Sequence, residues 1–281
     1  MKFNFRLLTI LTIITSVITL LAFTQSPSVV NKAGTNNQDT SSPVNVLRIE
    51  SPNVHPGKQV FSFFDSSVNY RVYLPEEYSS TRHRYPVLYL LNGPVFSPDS
   101  VTHEDWMVDE LLDSLGNLGR QKTIVIGFTD IKVGPDQYDS LCRFLATSVK
   151  PFIDENYRTQ PLNSVIAGTG HYADAALLTS LLFKQQFPKA GVFSPTDSVN
   201  ALVKSFGING AGYSGRVFIY KNGSKPAGTL ADNLAANSSA LLYTRDKQHA
   251  KRAVTPFGGW FTEFYGWMMG NGFNYIINTK N

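Results

Sequence analysis

A single cysteine, Cys142, is present in the chain, so no disulfide can form within it. None lies near the N-terminal apolar run, which excludes a lipoprotein anchor there. Cys142 falls in an apolar helical pattern with Leu141, Phe144 and Leu145, and no histidine is near it in sequence. It therefore reads as a buried, inert thiol rather than a nucleophile. Charge is also sparse, with 25 Lys and Arg against 21 Asp and Glu, a net +4. No run of five or more basic residues occurs, so the electrostatic footprint of a nucleic-acid binder is missing. Metal chemistry has little to work with. His103, Glu104 and Asp105 cluster before Trp106, but no second ligand group at standard spacing accompanies them, and a helix start favours acids anyway. No metal and no cofactor is implied. There is no internal repeat and no sign of a second domain.

What is present begins with an address. Lys2 and Arg6 precede an uncharged apolar run from Leu7 to Phe23, and Ala22-Phe23-Thr24 places small residues at a cleavage spacing. This is the layout of a secretory signal. The run is also close to the lower limit for a membrane span, about 17 residues. An uncleaved anchor through residues 7–23 is thus the rival reading of segment 1–24. Either one puts the rest of the chain outside the cytoplasm, as a secreted, periplasmic or cell-surface protein. Residues 25–45 are rich in Ser, Thr, Asn, Gln and Pro and read as a flexible linker that cannot bury enough apolar surface to fold. With 281 residues, 42% of them hydrophobic, the remainder at 46–281 suffices for one α/β domain.

Val46–Glu50 and Asn69–Pro75 alternate apolar and polar residues and predict half-buried antiparallel strands. Tyr85–Leu91 is continuously apolar and ends at Asn92-Gly93-Pro94, the pattern of a central strand buried on both faces. Trp106–Leu118 has helical spacing, Thr123–Phe128 is a second buried strand, and Leu141–Ile153 is again helical. Ser164–Ala167 then runs into Gly168-Thr169-Gly170-His171-Tyr172, followed by a helical pattern over Ala173–Phe187 that Pro188 stops. Short strands follow at Ala190–Ser194 and Arg216–Tyr220. Helices are expected over Leu230–Tyr243 and over Phe261–Ile277, the latter broken by Gly270 and Gly272. Strands alternate with helices from residue 85 onward, which predicts a mostly parallel sheet with helices on both faces.

The ordered series Arg71–Pro75, Tyr85–Gly93, Trp106, the strand at 123–128, Phe144-Leu145, Tyr157-Arg158-Thr159, Ile166-Ala167-Gly168 and Phe193-Ser194 resembles an esterase family of α/β hydrolases. That group includes esterase D, siderophore esterases, feruloyl esterases and mycolyltransferases, and the likeness runs over residues 68–277. It implies an α/β-hydrolase fold. It also implies a Ser–His–acid mechanism, with a serine in a Gly-x-Ser-x-Gly turn and an oxyanion held by two backbone N–H groups, one of them from the loop after the early strand.

Position by position, the resemblance places the nucleophile at Gly170. It places the acid at Pro226, in Gly223-Ser224-Lys225-Pro226, and the histidine at Trp260, in Gly258-Gly259-Trp260. All three positions are vacated. Thr169 carries a hydroxyl one position early, and Tyr172 replaces the second glycine with a bulk at odds with close strand–helix packing. Thr169, Gly170, His171, Tyr172 and Trp260 are the residues expected to line the pocket.

A triad acts as a unit, so the joint loss implies an exported, non-catalytic protein that binds a small molecule, glycan or protein, or serves as a surface scaffold. The rival is an active ester hydrolase or acyltransferase with a relocated triad, using His171 or His249 with Thr169 or a serine. Asp232 is the nearest acid downstream of Pro226 and is not expected to substitute. His249 lies in a charged segment read as a solvated loop. His55 and His83 lie in expected loops, and Ser194 is read as structural. Asn222-Gly223-Ser224 and Asn237-Ser238-Ser239 match the glycosylation pattern.

Overall fold

A computed structural model of the protein describes residues 50–97, 106–117, 122–129, 131–205, 215–221, 241–246 and 258–270. Ten strands run β1 (Val54–Pro56), β2 (Phe61–Phe63), β3 (Ser66–Val68), β4 (Tyr70–Tyr73), β5 (Tyr85–Leu91), β6 (Ile124–Phe128), β7 (Thr159–Thr169), β8 (Lys189–Phe193), β9 (Arg216–Lys221) and β10 (Leu241–Asp246) among the described residues. β2 and β3 form a separate hairpin. The other strands make an eight-stranded sheet in the order β1-β4-β6-β5-β7-β8-β9-β10. β1 and β4 join antiparallel, and every pairing from β6 to β10 is parallel.

The parallel core follows from its residues. All of β5 and β6 is buried, as uninterrupted apolar runs require when both faces of a sheet are covered. Side chains alternate across the pleat. Val87, Tyr89 and Leu91 therefore enter one core, and Leu88 and Leu90 the other. The first core is closed by a helical run made of α2 (Tyr138–Phe144), a π-helical turn (Leu145–Val149) and α3 (Lys150–Asn156), together with α4 (His171–Leu182). The second is closed by α1 (Val108–Asn117) and α6 (Gly258–Met269). A short α5 (Val199–Ser205) follows β8.

Helix α6 has no basic residue in its last turn. The sheet supplies the cap instead. Lys189 Nζ donates to the Met268 carbonyl at 2.8 Å, and Arg216 donates to that of Trp267 at 3.0 Å. These two cations are register partners at the start of β8 and β9. Burial, with the Arg216 charge adding to it, lowers the Lys189 ammonium to about 8. Cys142 is buried as expected, and burial pushes its thiol up to about 12.

Several expectations need correction. Residues 241–246 form β10, parallel to β9, where a helix over Leu230–Tyr243 was expected; residues 230–240 lie outside the described set. Leu241-Leu242-Tyr243-Thr244 is a short apolar run, and periodicity alone does not separate a buried strand from a helix at that length. The same strand takes in Arg245 and Asp246, the first residues of the charged segment around His249 that reads as a solvated loop. The strand beside β4 is Val54–Pro56 rather than Val46–Glu50; Glu50 is in no strand and Val46–Ile49 lie outside the described residues. Helix α1 starts at Val108 because Trp106 is occupied elsewhere: its ring lies over Gly93, where an added Cβ would meet it at 2.2 Å. Helix α6, by contrast, stops where the break at Gly270 was expected, and the φ of 72° there is the usual left-handed helix end.

Candidate active-site crevice

The chain passes from β5 to β6 on one side and then crosses to β7 on the other. Strand order therefore reverses at β5, and open α/β sheets bind ligands at the carboxyl edge beside such a reversal. Three adjacent strands, β5, β7 and β8, each end there on residues with positive φ. They are Asn92 at 51° with Gly93 at 146°, Gly170 at 56°, and Ser194 at 48°. Such angles are rare and strained for non-glycine residues, and they cluster at functional sites.

Gly170 is the turn between β7 and α4, with φ 56° and ψ −128°. Its N–H donates to the Phe193 carbonyl at 3.0 Å, and its own carbonyl accepts from Ala173 at 3.0 Å, so the turn is bonded both to the next strand and to its helix. A Cβ built on Gly170 meets nothing within 4 Å, so the space a side chain would take is open. Gly168 is the opposite case. Its added Cβ would lie 2.5 Å from the Tyr172 carbonyl oxygen, a backbone atom that cannot rotate away. Gly168→Ala should therefore lift the first turn of α4 and cost about 2 kcal/mol. Equilibrium urea unfolding measures it, and a change under 0.5 kcal/mol (order of magnitude) would show the turn to be pliable.

Tyr172 does not disturb this packing, contrary to expectation. Its ring is buried and its hydroxyl donates to the Ile131 carbonyl, so the bulk is carried away from β7 to the segment after β6. His171 is exposed, its ring centroid 4.2 Å from that of Tyr172. Thr169 is half-buried as the last residue of β7, paired with Phe193. Thr169, Gly170, His171 and Tyr172 are thus together at the carboxyl edge of the sheet. Trp260 is the third residue of α6, but its side chain lies outside the described set. Pro226, Asp232, His249, both glycosylation motifs and the His103–Asp105 cluster also lie outside it. His55 is exposed on β1, and His83 is exposed beside Tyr85. Among the described residues no group of three or more His, Cys, Asp or Glu is placed to hold a metal.

In the loop after β5 two positions offer no free backbone donor. Pro94 has no N–H, and the Val95 N–H is spent on the Gly93 carbonyl at 2.9 Å. The side-chain oxygen of Asn92 is buried without a partner.

One residue was passed over in the sequence. Asp174, one turn into α4, is 2% exposed. Its carboxylate accepts from the Thr196 N–H at 3.0 Å and from the Thr196 hydroxyl at 2.5 Å. Burial raises it to about 6, although both bonds from Thr196 pull the other way. The available signal was a lone acid inside an otherwise uncharged helical stretch.

A mostly parallel sheet covered by helices on both faces, with a strand–turn–helix at its carboxyl edge, defines an α/β-hydrolase fold. The family described as "Putative esterase" matches residues 62–267, and the chain belongs to that family. No curated protein matches it. Solved structures agree on the fold. A ferulic acid esterase superimposes with a TM-score of 0.54 at 18% identity, covering 77% of this chain and 96% of its own. An S-formylglutathione hydrolase from Agrobacterium tumefaciens gives 0.56 at 12% identity, with coverage of 77% and 94%. An IroE-like serine hydrolase from Shewanella oneidensis gives 0.53 at 16%, with 69% and 74%. At these identities the likeness is one of fold.

Proposed function

We propose that this esterase-family protein is non-catalytic, is exported, and uses the carboxyl-edge crevice to bind a small molecule, glycan or protein. The observation that carries this reading is Gly170. It holds the backbone geometry of a nucleophile elbow, with open space where the side chain would lie, and has no atom that can attack a carbonyl. Glycine also relieves the strain that a serine would bear there, about 1–3 kcal/mol. The resemblance puts Pro226 and Trp260 at the acid and base positions, and Pro94 deprives the oxyanion loop of a donor. Export is supported by Lys2 and Arg6 before the apolar run 7–23, with residues 25–45 as a tether. No helix among the described residues is long and apolar enough to cross a membrane.

The test is hydrolysis of p-nitrophenyl acetate and butyrate by purified protein, with a fluorophosphonate probe in parallel. Neither turnover above buffer nor labelling is expected, and Gly170→Ser should gain neither, because an unassisted serine is a weak nucleophile. Wild-type turnover that disappears in His171→Ala or His249→Ala would instead establish the relocated-triad esterase.

A further inference from the structure

We propose that Asp174, Thr196 and Ser198 form a proton-responsive hydrogen-bond relay that ties the flank of the crevice to solvent pH. The proposal concerns the wall of the crevice and is independent of whether the crevice is catalytic. Its parts are continuous. The Asp174 carboxylate is bonded to both the N–H and the hydroxyl of Thr196, and the Thr196 hydroxyl lies 2.8 Å from that of Ser198. Ser198 is exposed, and its carbonyl accepts from Leu202 in α5. The loop they hold, 194–198, leaves β8 at Ser194, a residue with φ 48° whose N–H is bonded to the Tyr220 carbonyl. It begins directly after Phe193, whose carbonyl accepts from Gly170.

Only the direction of the hydroxyl protons has to change. With Asp174 ionised, the Thr196 hydroxyl donates to the carboxylate and can accept from Ser198. When the carboxylate takes one proton from solvent, the new O–H donates to the Thr196 oxygen. The Thr196 proton then turns to the Ser198 oxygen, and the Ser198 proton turns outward. One proton is bound, no covalent bond between heavy atoms changes, and the exposed end switches from acceptor to donor at the start of α5. Two features place the switch in a useful range. The carboxyl is buried, which raises it, and the Thr196 bonds, which favour the charged form, stop it rising further than about 6. From the neighbouring elements, Tyr138 on α2 shares its field. His171 on its own helix and Asp197 in the loop are both exposed.

Side-chain carboxyl carbon-13 NMR on the full chain tests this, with the Asp174 signal assigned by its loss in Asp174→Asn. The expected result is a midpoint near 6, with the amide signals of residues 196–199 following the same midpoint. Thr196→Val should raise the Asp174 midpoint and uncouple the Ser198 and Val199 amides, whereas Thr196→Ser, which keeps the hydroxyl, should restore both. A midpoint at the ordinary aspartate value near 4, amides that do not follow the carboxyl, or an unchanged midpoint in Thr196→Val would each overturn the relay. Thr196→Ser also guards against misfolding of the valine variant.

Discussion

Replacing Phe264 by alanine is expected to cost about 4 kcal/mol and to loosen the helix that carries Trp260. Phe264 is fully buried on α6, with its ring edge-on to Phe193 at 5.0 Å and to Phe218 at 5.4 Å, stacked on Trp267 at 5.7 Å. These partners come from β8, β9 and α6, so this one ring joins the helix to two strands. The site cannot readily collapse around the loss. The sheet residue beneath the ring is Gly191, where an added Cβ would approach the ring at 2.6 Å. A glycine has no side chain to swing into the void, and Phe193 and Phe218 are held by the pleat. The cavity term should therefore be near its upper range. Equilibrium urea unfolding gives the stability change. Hydrogen exchange over Gly258–Gly270 reports whether the helix opens locally before the domain does. A loss under about 1.5 kcal/mol would mean that the aromatic seat is not what docks α6.

The fold was legible wherever a strand was buried on both faces. Tyr85–Leu91 and Ile124–Phe128 announce themselves because a parallel sheet under two helical layers leaves no polar position in them. Helices were legible as pieces, and Gly270 marked the end of α6 as a local stop, but the late start of α1 goes with the contact between Gly93 and Trp106, which no local pattern contains. β10 was misread because pairing with β9, not propensity, made Leu241–Asp246 a strand. At the crevice, Gly168 and Gly170 could be singled out from their spacing. What each does could not: one is needed because the Tyr172 backbone presses on it, the other because its φ is 56° with open space beyond. Asp174 was hidden for a related reason. Helical periodicity identifies a face, but whether a lone acid on it is buried depends on a loop twenty residues later. The positive φ values of Asn92 and Ser194 leave no mark in composition.

Asp174 also sets an expectation for the whole domain: stability should fall as pH rises from about 4 to 7. The sign follows from proton counting. The folded carboxyl is raised from 3.8 to about 6, so between those values the folded chain binds more protons than the unfolded one, and raising the pH favours unfolding. The contribution is fully present below the unfolded value and is lost through the folded one. At 1.36 kcal/mol for each pH unit between the two values it amounts to about 3 kcal/mol. Glu77 opposes it only lower down. Burial would raise that carboxyl, but its hydrogen bond to Lys122 holds it below the ordinary value, so its stabilisation is lost at acid pH rather than gained. Asp174→Asn separates the two effects, because its amide can still accept from the Thr196 N–H and donate to the Thr196 hydroxyl while carrying no charge. Urea unfolding at pH 4, 5, 6 and 7 should show the wild type losing stability relative to Asp174→Asn across this window. Parallel profiles would mean that Asp174 is charged in the folded protein at little cost, and that water reaches it despite its 2% exposure.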